Sequence, residues 1–298
     1  MNKPQQAHRR SIIARAWYAV FAALLSSCVV LTTLPRAVVQ NADGSLVVRS
    51  IPCSANTNAI KPARDVAPSQ ALDPRAIRVL TWNIHKEGDA GWDRDLAQFL
   101  AANDLVLLQE AVLSPALLDL LESQTLRFTM ASSFLYQDVD VGVLTAAHVL
   151  PVASCTELVV EPWLRIPKSA TVAWFALEGT TQTLAVVNVH AINFALSLDV
   201  YREQFDGLVA ALRNHDGPII FAGDFNTWTD ARLAVVLEAA AKLRVTAIPF
   251  AEDLRSLFLG HQLDHMLVRG LDVVQAAAIA VKSSDHNPVT ATLRLRVP

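Results

Sequence analysis

The chain has 298 residues, 52% of them apolar and 18% charged, which is enough apolar material for a substantial core and enough length for one large domain or two small ones. Its net charge of −3 hides an asymmetry: residues 1–77 carry nine Lys/Arg and three Asp/Glu, a net of +6, whereas 78–298 carry sixteen and twenty-five, a net of −9. No basic run lies beyond the first fifteen residues, which argues against a protein that grips nucleic acid by neutralising many phosphates along a basic surface.

Residues 1–15, MNKPQQAHRRSIIAR, are basic, and residues 16–34, AWYAVFAALLSSCVVLTTL, hold no charge in 19 positions. As a helix the uncharged run spans about 28 Å, close to the hydrocarbon thickness of a bilayer. Lys3, Arg9, Arg10 and Arg15 precede it, so the positive-inside rule keeps the N-terminus cytoplasmic and sends the rest across. The expectation is a membrane anchor at 16–34 with the remaining chain outside the cytoplasm. If the run is instead cleaved as a signal sequence, the protein is secreted or periplasmic. LSSC at 25–28 resembles a lipoprotein box around Cys28, but the apolar run continues past that cysteine.

Residues 35–76 carry Pro35, Pro52, Pro62, Pro68 and Pro74 without helical periodicity, and they predict a Pro-rich linker in which only SLVVRSI (45–51) has strand character. With Cys28 in the apolar run, Cys53 and Cys155 remain. Outside the cytoplasm they either pair or stay as free thiols, and their spacing does not choose.

From Ile77 to the end, strands and amphipathic helices alternate. IRVLTWNI (77–84) reads as a strand, RDLAQFLAA (94–102) as a helix, DLVLLQE (104–110) as a strand and SPALLDLLES (114–123) as a Ser-capped helix. VDVGVLTA, SATVAWFAL and TLAVVNVHA are further strands, the last feeding a helix near 198–213, and PIIFAGD, HMLVRG and VTATLRLRV complete the set. Strand follows strand directly over 169–190, which favours a mixed sheet or sandwich over a purely parallel one.

Polar side chains collect where these apolar strands begin or end: Asn83, Glu110, Asn188 and His190 with Asn193 just beyond, Asp224 and Asn226, Asp264, and Asp285–His286. One such residue is an ordinary cap. Repeated around the domain, they predict a common polar rim, because strand ends in an α/β domain converge on one edge.

TWNIH, LLQE, NVHAIN, GDFNTW, LDHMLV and SDHNPV stand in the order and approximate spacing of the endonuclease/exonuclease/phosphatase superfamily, which the chain resembles over 77–298. VNVHAINFALSLDVY and EPWLRIPKSA look closer still to a bacterial branch, the YafD-like proteins. The resemblance implies a DNase-I-like four-layer α/β sandwich with two mixed, mostly antiparallel sheets. It also implies a phosphoric ester hydrolase using Mg²⁺ or Mn²⁺ and acting on a phosphodiester of nucleic acid or phospholipid.

Phosphodiester hydrolysis calls for a metal to neutralise the phosphate, a base to aim a water and donors for the charge developing on phosphorus. Glu110 offers a hard carboxylate and Asn83 a neutral amide oxygen, which suits Mg²⁺ with most of its waters retained. The resemblance implies the same pair as metal ligands, with Asp285 added in some members. Asp224 is the candidate base, and Asn226 shares its face if the segment stays extended, its amide then donating to a phosphoryl oxygen. His286 needs a carboxylate to hold its tautomer, and the resemblance pairs it with Asp264. It likewise makes His190 a second active-site imidazole.

Arg165 and Lys168 are either substrate contacts or a solvated strand end, and Asn193 stands behind the site. His85, beside Asn83, and His265, beside Asp264, read as surface residues. Trp82, Trp174 and Trp228 read as packing. No protein partner is expected. The alternative functions are a membrane-associated phosphatase or sphingomyelinase-like lipid phosphodiesterase, and a non-catalytic binding module, against which the retained acidic and imidazole residues speak.

Overall fold

A computed structural model describes residues 36–55, 70–162, 164–195 and 197–296. The anchor or signal sequence expected at 16–34 lies outside them. Among the described residues no helix is long and apolar enough to cross a membrane.

The described chain opens with β1 (Arg36–Gln40), β2 (Leu46–Arg49) and β3 (Ile77–Asn83). Helix α1 (Trp92–Ala102), β4 (Leu105–Val112) and helix α2 (Pro115–Ser123) come next. Five strands then follow without a helix: β5 (Arg127–Tyr136), β6 (Val139–Ala147), β7 (Ala153–Val160), β8 (Pro167–Ala176) and β9 (Thr183–His190). After them come α3 (Asp199–Leu212), β10 (Ile219–Asp224), α4 (Asp230–Leu243) and the short β11 (Thr246–Ala247). A small hairpin of β12 (Leu257–Phe258) and β13 (His261–Gln262) precedes β14 (Asp264–Arg269), β15 (Leu271–Ala278) and β16 (Val289–Leu295).

These strands form an eight-stranded sheet in the order β15-β16-β3-β4-β6-β5-β1-β2 and a six-stranded sheet in the order β11-β14-β10-β9-β8-β7. Both sheets are mixed: β3 pairs parallel with β4 and β9 parallel with β10, and the other ladders are antiparallel. Apolar side chains such as Val79, Leu107, Phe175, Val186, Ile220 and Met266 fill the space between the sheets. Helices α1 and α2 cover the outer face of the larger sheet through Leu96, Leu100, Leu117 and Leu121. Helices α3 and α4 cover the smaller one through Tyr201, Phe205, Val235 and Val236. The result is helix, sheet, sheet, helix, with β9 and β10 buried along their whole length because layers enclose them on both faces.

Near the strand ends the space between the sheets turns polar. Gln109 Nε2 donates to Asn188 Oδ1 (2.6 Å) and Thr81 Oγ1 (3.1 Å), and Asn188 Nδ2 donates to the Leu144 carbonyl (2.9 Å). Asn188 is therefore a strut between the sheets, not part of the exposed rim. A buried amide needs partners of this kind, and here they come from the opposite sheet.

The linker expected over 35–76 is corrected at its start. Residues 36–49 contain no proline, and β1 pairs antiparallel with β5 from Arg36↔Ser132 to Val39↔Thr129, extending the larger sheet. Arg36 also forks onto the buried Asp140, at 2.7 and 3.1 Å. The globular domain thus includes Arg36–Arg49, some forty residues earlier than the strand pattern after Ile77 implied.

A disulfide joins Cys53 to Cys155 on β7 and pins this N-terminal extension to the smaller sheet, with both cysteines buried. It closes a loop of 102 residues in sequence. Replacing both cysteines with Ser is expected to remove about 2–4 kcal/mol of stability and to lower the melting temperature by about 4–16 °C. Thermal unfolding of the wild type with and without reductant, beside the double variant, checks this; unchanged melting temperatures refute it.

Candidate active site

Strand registers assemble the site. Asp224 ends β10 directly opposite His190 of β9 and Asp264 of β14. Three titratable side chains thus come together from a parallel and an antiparallel neighbour of one strand. Across the sandwich, β3 ends at Asn83, and Asn83 Nδ2 donates to Asp224 Oδ2 at 3.1 Å. The cleft between them has a volume of about 490 Å³, and its floor is Asn83, Glu110, His190, Asp224 and His286.

Asp224 is 2% exposed. Its Oδ1 accepts the Asn226 backbone N–H at 2.9 Å, and its Oδ2 accepts Asn226 Nδ2 at 3.2 Å. Burial and the nearby Asp264 carboxylate push its pKa up to about 6, against the opposing pull of His286, Lys168 and the Asn226 N–H. The extended segment expected after Asp224 is corrected: Asn226 has φ 50, so the chain turns back. Its amide consequently clamps Asp224 and also donates to the Ala191 carbonyl (3.1 Å), while Asn226 still lines the cleft.

His286 is buried and its Nδ1 bonds Asp264 Oδ2 at 2.8 Å, while its Nε2 lies 4.0 Å from Asp224 Oδ2. Burial disfavours its protonation, but Asp264, Asp224, the Asp264 hydrogen bond and Asp285 outweigh that and push the pKa up to about 10. The turn carrying it is tied to β3: Trp82 Nε1 donates to the His286 carbonyl (2.8 Å), and Ser284 Oγ donates to the Asn83 carbonyl (2.7 Å). Asp264 does not line the cleft; its contact there is the hydrogen bond to His286.

His190 Nε2 sits 3.5 Å from Asp224 Oδ2 and 3.7 Å from Glu110 Oε1, and it accepts a hydrogen bond from Lys168 Nζ at 2.8 Å. Burial, then the Lys168 and Lys86 ammoniums, hold its pKa well below the usual histidine value, so the ring is neutral. Lys168 in turn has a lowered pKa through burial, opposed by Glu110, Glu161 and Asp224. Of the two cations in WLRIPKSA, Lys168 reaches the site. Arg165 is exposed and does not line the cleft, so its candidacy as a substrate contact is corrected; its φ of 53 puts it in the turn before β8.

Glu110 sits in a β-bulge of β4, with φ 51, where the pairing to β6 shifts between Leu108 and Ala111. The bulge re-aims its carboxylate into the cleft. There it meets the Lys86 ammonium, a residue the sequence reading missed. Burial raises the Glu110 pKa, but Lys86, Lys168 and His286 pull it below the ordinary value. His85, Lys86 and Glu87 all take left-handed conformations (φ 47, 53 and 61), which swings His85 and Lys86 over the cleft. The surface reading of His85 is corrected: it lines the cleft, and its Nδ1 contacts Asp89 at 2.7 Å and Asp285 at 3.9 Å.

Asn193 lines the cleft, and its Oδ1 accepts from Trp228 Nε1 at 3.0 Å. Behind both lies a buried arginine that the sequence reading also missed. Arg232 donates to the Ile192, Asn193 and Asn226 carbonyls and packs its guanidinium over Tyr201 and Trp228. His265 is not a surface residue. Its Nε2 bonds Thr227 Oγ1 at 2.6 Å, Arg255 lies against its Nδ1, and burial followed by Arg255 pushes its pKa down to about 4.

Two groups of donors face the question of a metal. Asp224, Asp264 and His286 offer atoms within 4.8 Å of one another, but the His286–Asp264 hydrogen bond already occupies that pair. Asn83, Glu110 and Asp285 are oxygen donors lining the same cleft, where Lys86 already brings a cation to Glu110. A hard divalent cation fits that oxygen set.

A mixed two-sheet sandwich with this rim is the architecture of the endonuclease/exonuclease/phosphatase class, and the chain belongs to that family. The model of the Endonuclease/Exonuclease/phosphatase family matches residues 80–286. A UPF0294 protein of Vibrio parahaemolyticus is 33% identical over 289 residues, covering 96% of this chain and 99% of that protein. Among solved structures, the endonuclease/exonuclease/phosphatase of Beutenbergia cavernae superposes with a TM-score of 0.58 at 19% identity, over 74% of this chain and 72% of that one. TDP2 of D. rerio, complexed with a single-strand DNA product, gives 0.56 at 18% identity, over 74% and 99%. The family includes metal-dependent phosphodiesterases such as nucleases and phosphatases.

Proposed function

We propose that the protein is a divalent-metal-dependent phosphodiesterase that hydrolyses its substrate by in-line attack of water. The observation that carries this reading is Asp224, a buried carboxylate held by Asn83 and Asn226 and faced by two imidazoles of opposite character. As the base, Asp224 takes the proton of the attacking water, and its raised pKa makes it a stronger acceptor than a free carboxylate. His286, kept protonated by Asp264, stabilises the negative charge that develops on the phosphoryl oxygens. Neutral His190 faces the same space and orients the phosphate, its Nε2 held by the Lys168 ammonium.

Asn83 and Glu110, with Asp285 at the rim, would hold Mg²⁺ or Mn²⁺, which when bound supplies charge neutralisation to the phosphate. Lys86 would then leave Glu110, as a half-exposed lysine on a turn is free to do. The Cys53–Cys155 disulfide fits an oxidising compartment, which supports placing the domain outside the cytoplasm, tethered by residues 16–34 or released from them.

The test is turnover of bis-p-nitrophenyl phosphate, plasmid DNA and phospholipid by the purified protein with Mg²⁺ or Mn²⁺. Hydrolysis of at least one should disappear in EDTA and return with added cation. Turnover that survives EDTA sinks the metal-dependent reading, and none on the whole panel favours a binding module.

A further inference from the structure

We infer that the β12–β13 hairpin is a lipid-docking element that seats the cleft on a phospholipid surface, so that the phosphodiester attacked is a lipid headgroup. The inference rests on the phosphodiesterase reading for its substrate, but the docking itself stands on the hairpin. Leu257, Phe258 and Leu259 are consecutive and 62%, 53% and 71% exposed. Three neighbouring large apolar side chains in water are a cost that the fold does not recover, and such patches mark interaction surfaces.

The turn itself adds a second cost. Leu259 and Gly260 both have positive φ (50 and 85), the two-residue hairpin turn that favours Asn-Gly. A leucine in the first position is disfavoured by its own backbone, so turn chemistry does not account for it.

The stem of the hairpin is fixed to the catalytic loops. Thr227 Oγ1 donates to the Gln262 carbonyl at 2.5 Å and Phe225 N to the Leu263 carbonyl at 2.9 Å, which ties it to the Asp224 loop. Asn287 donates through Nδ2 to the Leu254 carbonyl (2.7 Å) and through its backbone N–H to Ser256 Oγ (2.8 Å), which ties it to the His286 turn. Phe258 lines the cleft, as does Phe194, which is 55% exposed. The apolar tip therefore projects from a rigid base beside Asp224 and His286.

The chemistry of the tip selects the partner. LFLGHQL (257–263) contains no Lys, Arg, Asp or Glu. Nucleic acid would be met by cations and by aromatic faces, whereas two of the three exposed side chains here are aliphatic. Hydrocarbon is the matching phase. The uncharged run 16–34, long enough to cross a bilayer, also ends one residue before β1, which in our reading keeps the domain close to a membrane surface.

The experiment uses the full chain with Cys28→Ser and an environment-sensitive nitrobenzoxadiazole label on Leu259→Cys, or on Leu237→Cys of α4 as an exposed control. With phosphatidylcholine vesicles the label at 259 should shift to the blue and be quenched by acyl-chain spin labels, while the label at 237 should not respond. A label at 259 that stays in water, or that responds to single-stranded DNA or to protein concentration instead of lipid, overturns the inference. In a second arm, Leu257→Ser with Leu259→Ser should keep bis-p-nitrophenyl phosphate turnover within about twofold and lower turnover of vesicle-borne phospholipid at least about tenfold. Equal turnover of both substrates relative to wild type overturns it. The fluorescence arm does not depend on hydrolysis, so an enzyme inactive on every substrate refutes the phosphodiesterase reading while the docking result is read separately.

Discussion

Replacing Asp224 with Asn is expected to lower phosphodiester turnover by about 10²–10⁴-fold, the range a positioned general base supplies, while the fold is retained. The substitution keeps the shape of the side chain and one of its two oxygens, so the hydrogen bond from the Asn226 N–H can be kept. It also removes a charge whose burial is costly: Asp224 is 2% exposed and lies near a second buried carboxylate, Asp264. What it introduces is an amide N–H facing the Asn83 and Asn226 amides, which donate to the carboxylate in the wild type. These opposing changes leave the net stability effect small next to the catalytic one. Activity and thermal unfolding measured on the same preparation separate the two. A variant within about tenfold of wild type would remove Asp224 from the role of base.

The polar rim was legible in the sequence because it is written linearly. Each apolar run, such as PIIFAG, is followed at once by the residue it delivers, and sheet register does the rest: one strand end at Asp224 brings His190 and Asp264 into line. What was not legible depends on local backbone or on distant partners. Lys86 reaches Glu110 through three successive left-handed residues, none of them glycine, so nothing in NIHKEG announces the turn. Asn226 hides in the same way, since GDFN reads equally as extended chain or as a turn. Arg232 sits in α4, a helix the sequence reading left unassigned, and its three carbonyl partners lie on the loops after β9 and β10. Strand β1 was not legible because its reason to form is the edge of β5, nearly a hundred residues later in the chain. The Cys53–Cys155 pairing was undecidable for the same reason.

His286→Asn and Asp264→Asn separate a group that touches the substrate from one that positions it. His286 faces the cleft, so its loss is expected to reduce turnover by about 10²–10³-fold, the scale of one oxyanion-stabilising donor. Asp264 is 3% exposed and outside the cleft, so its substitution should cost less and only through His286. The double variant should then be no slower than His286→Asn alone, because the second change removes a support with nothing left to support. Additive losses would show that Asp264 acts on the reaction independently. The pair also predicts a pH dependence of stability with a defined sign. His286 binds its proton more tightly when folded, with a pKa of about 10 against an ordinary value near 6.5. The stabilisation it brings is therefore complete below about pH 6.5 and is lost as pH rises through about 10. Asp264→Asn removes the nearest carboxylate and should flatten this alkaline decline in urea unfolding, whereas a merely space-filling Asp264 would leave the decline unchanged.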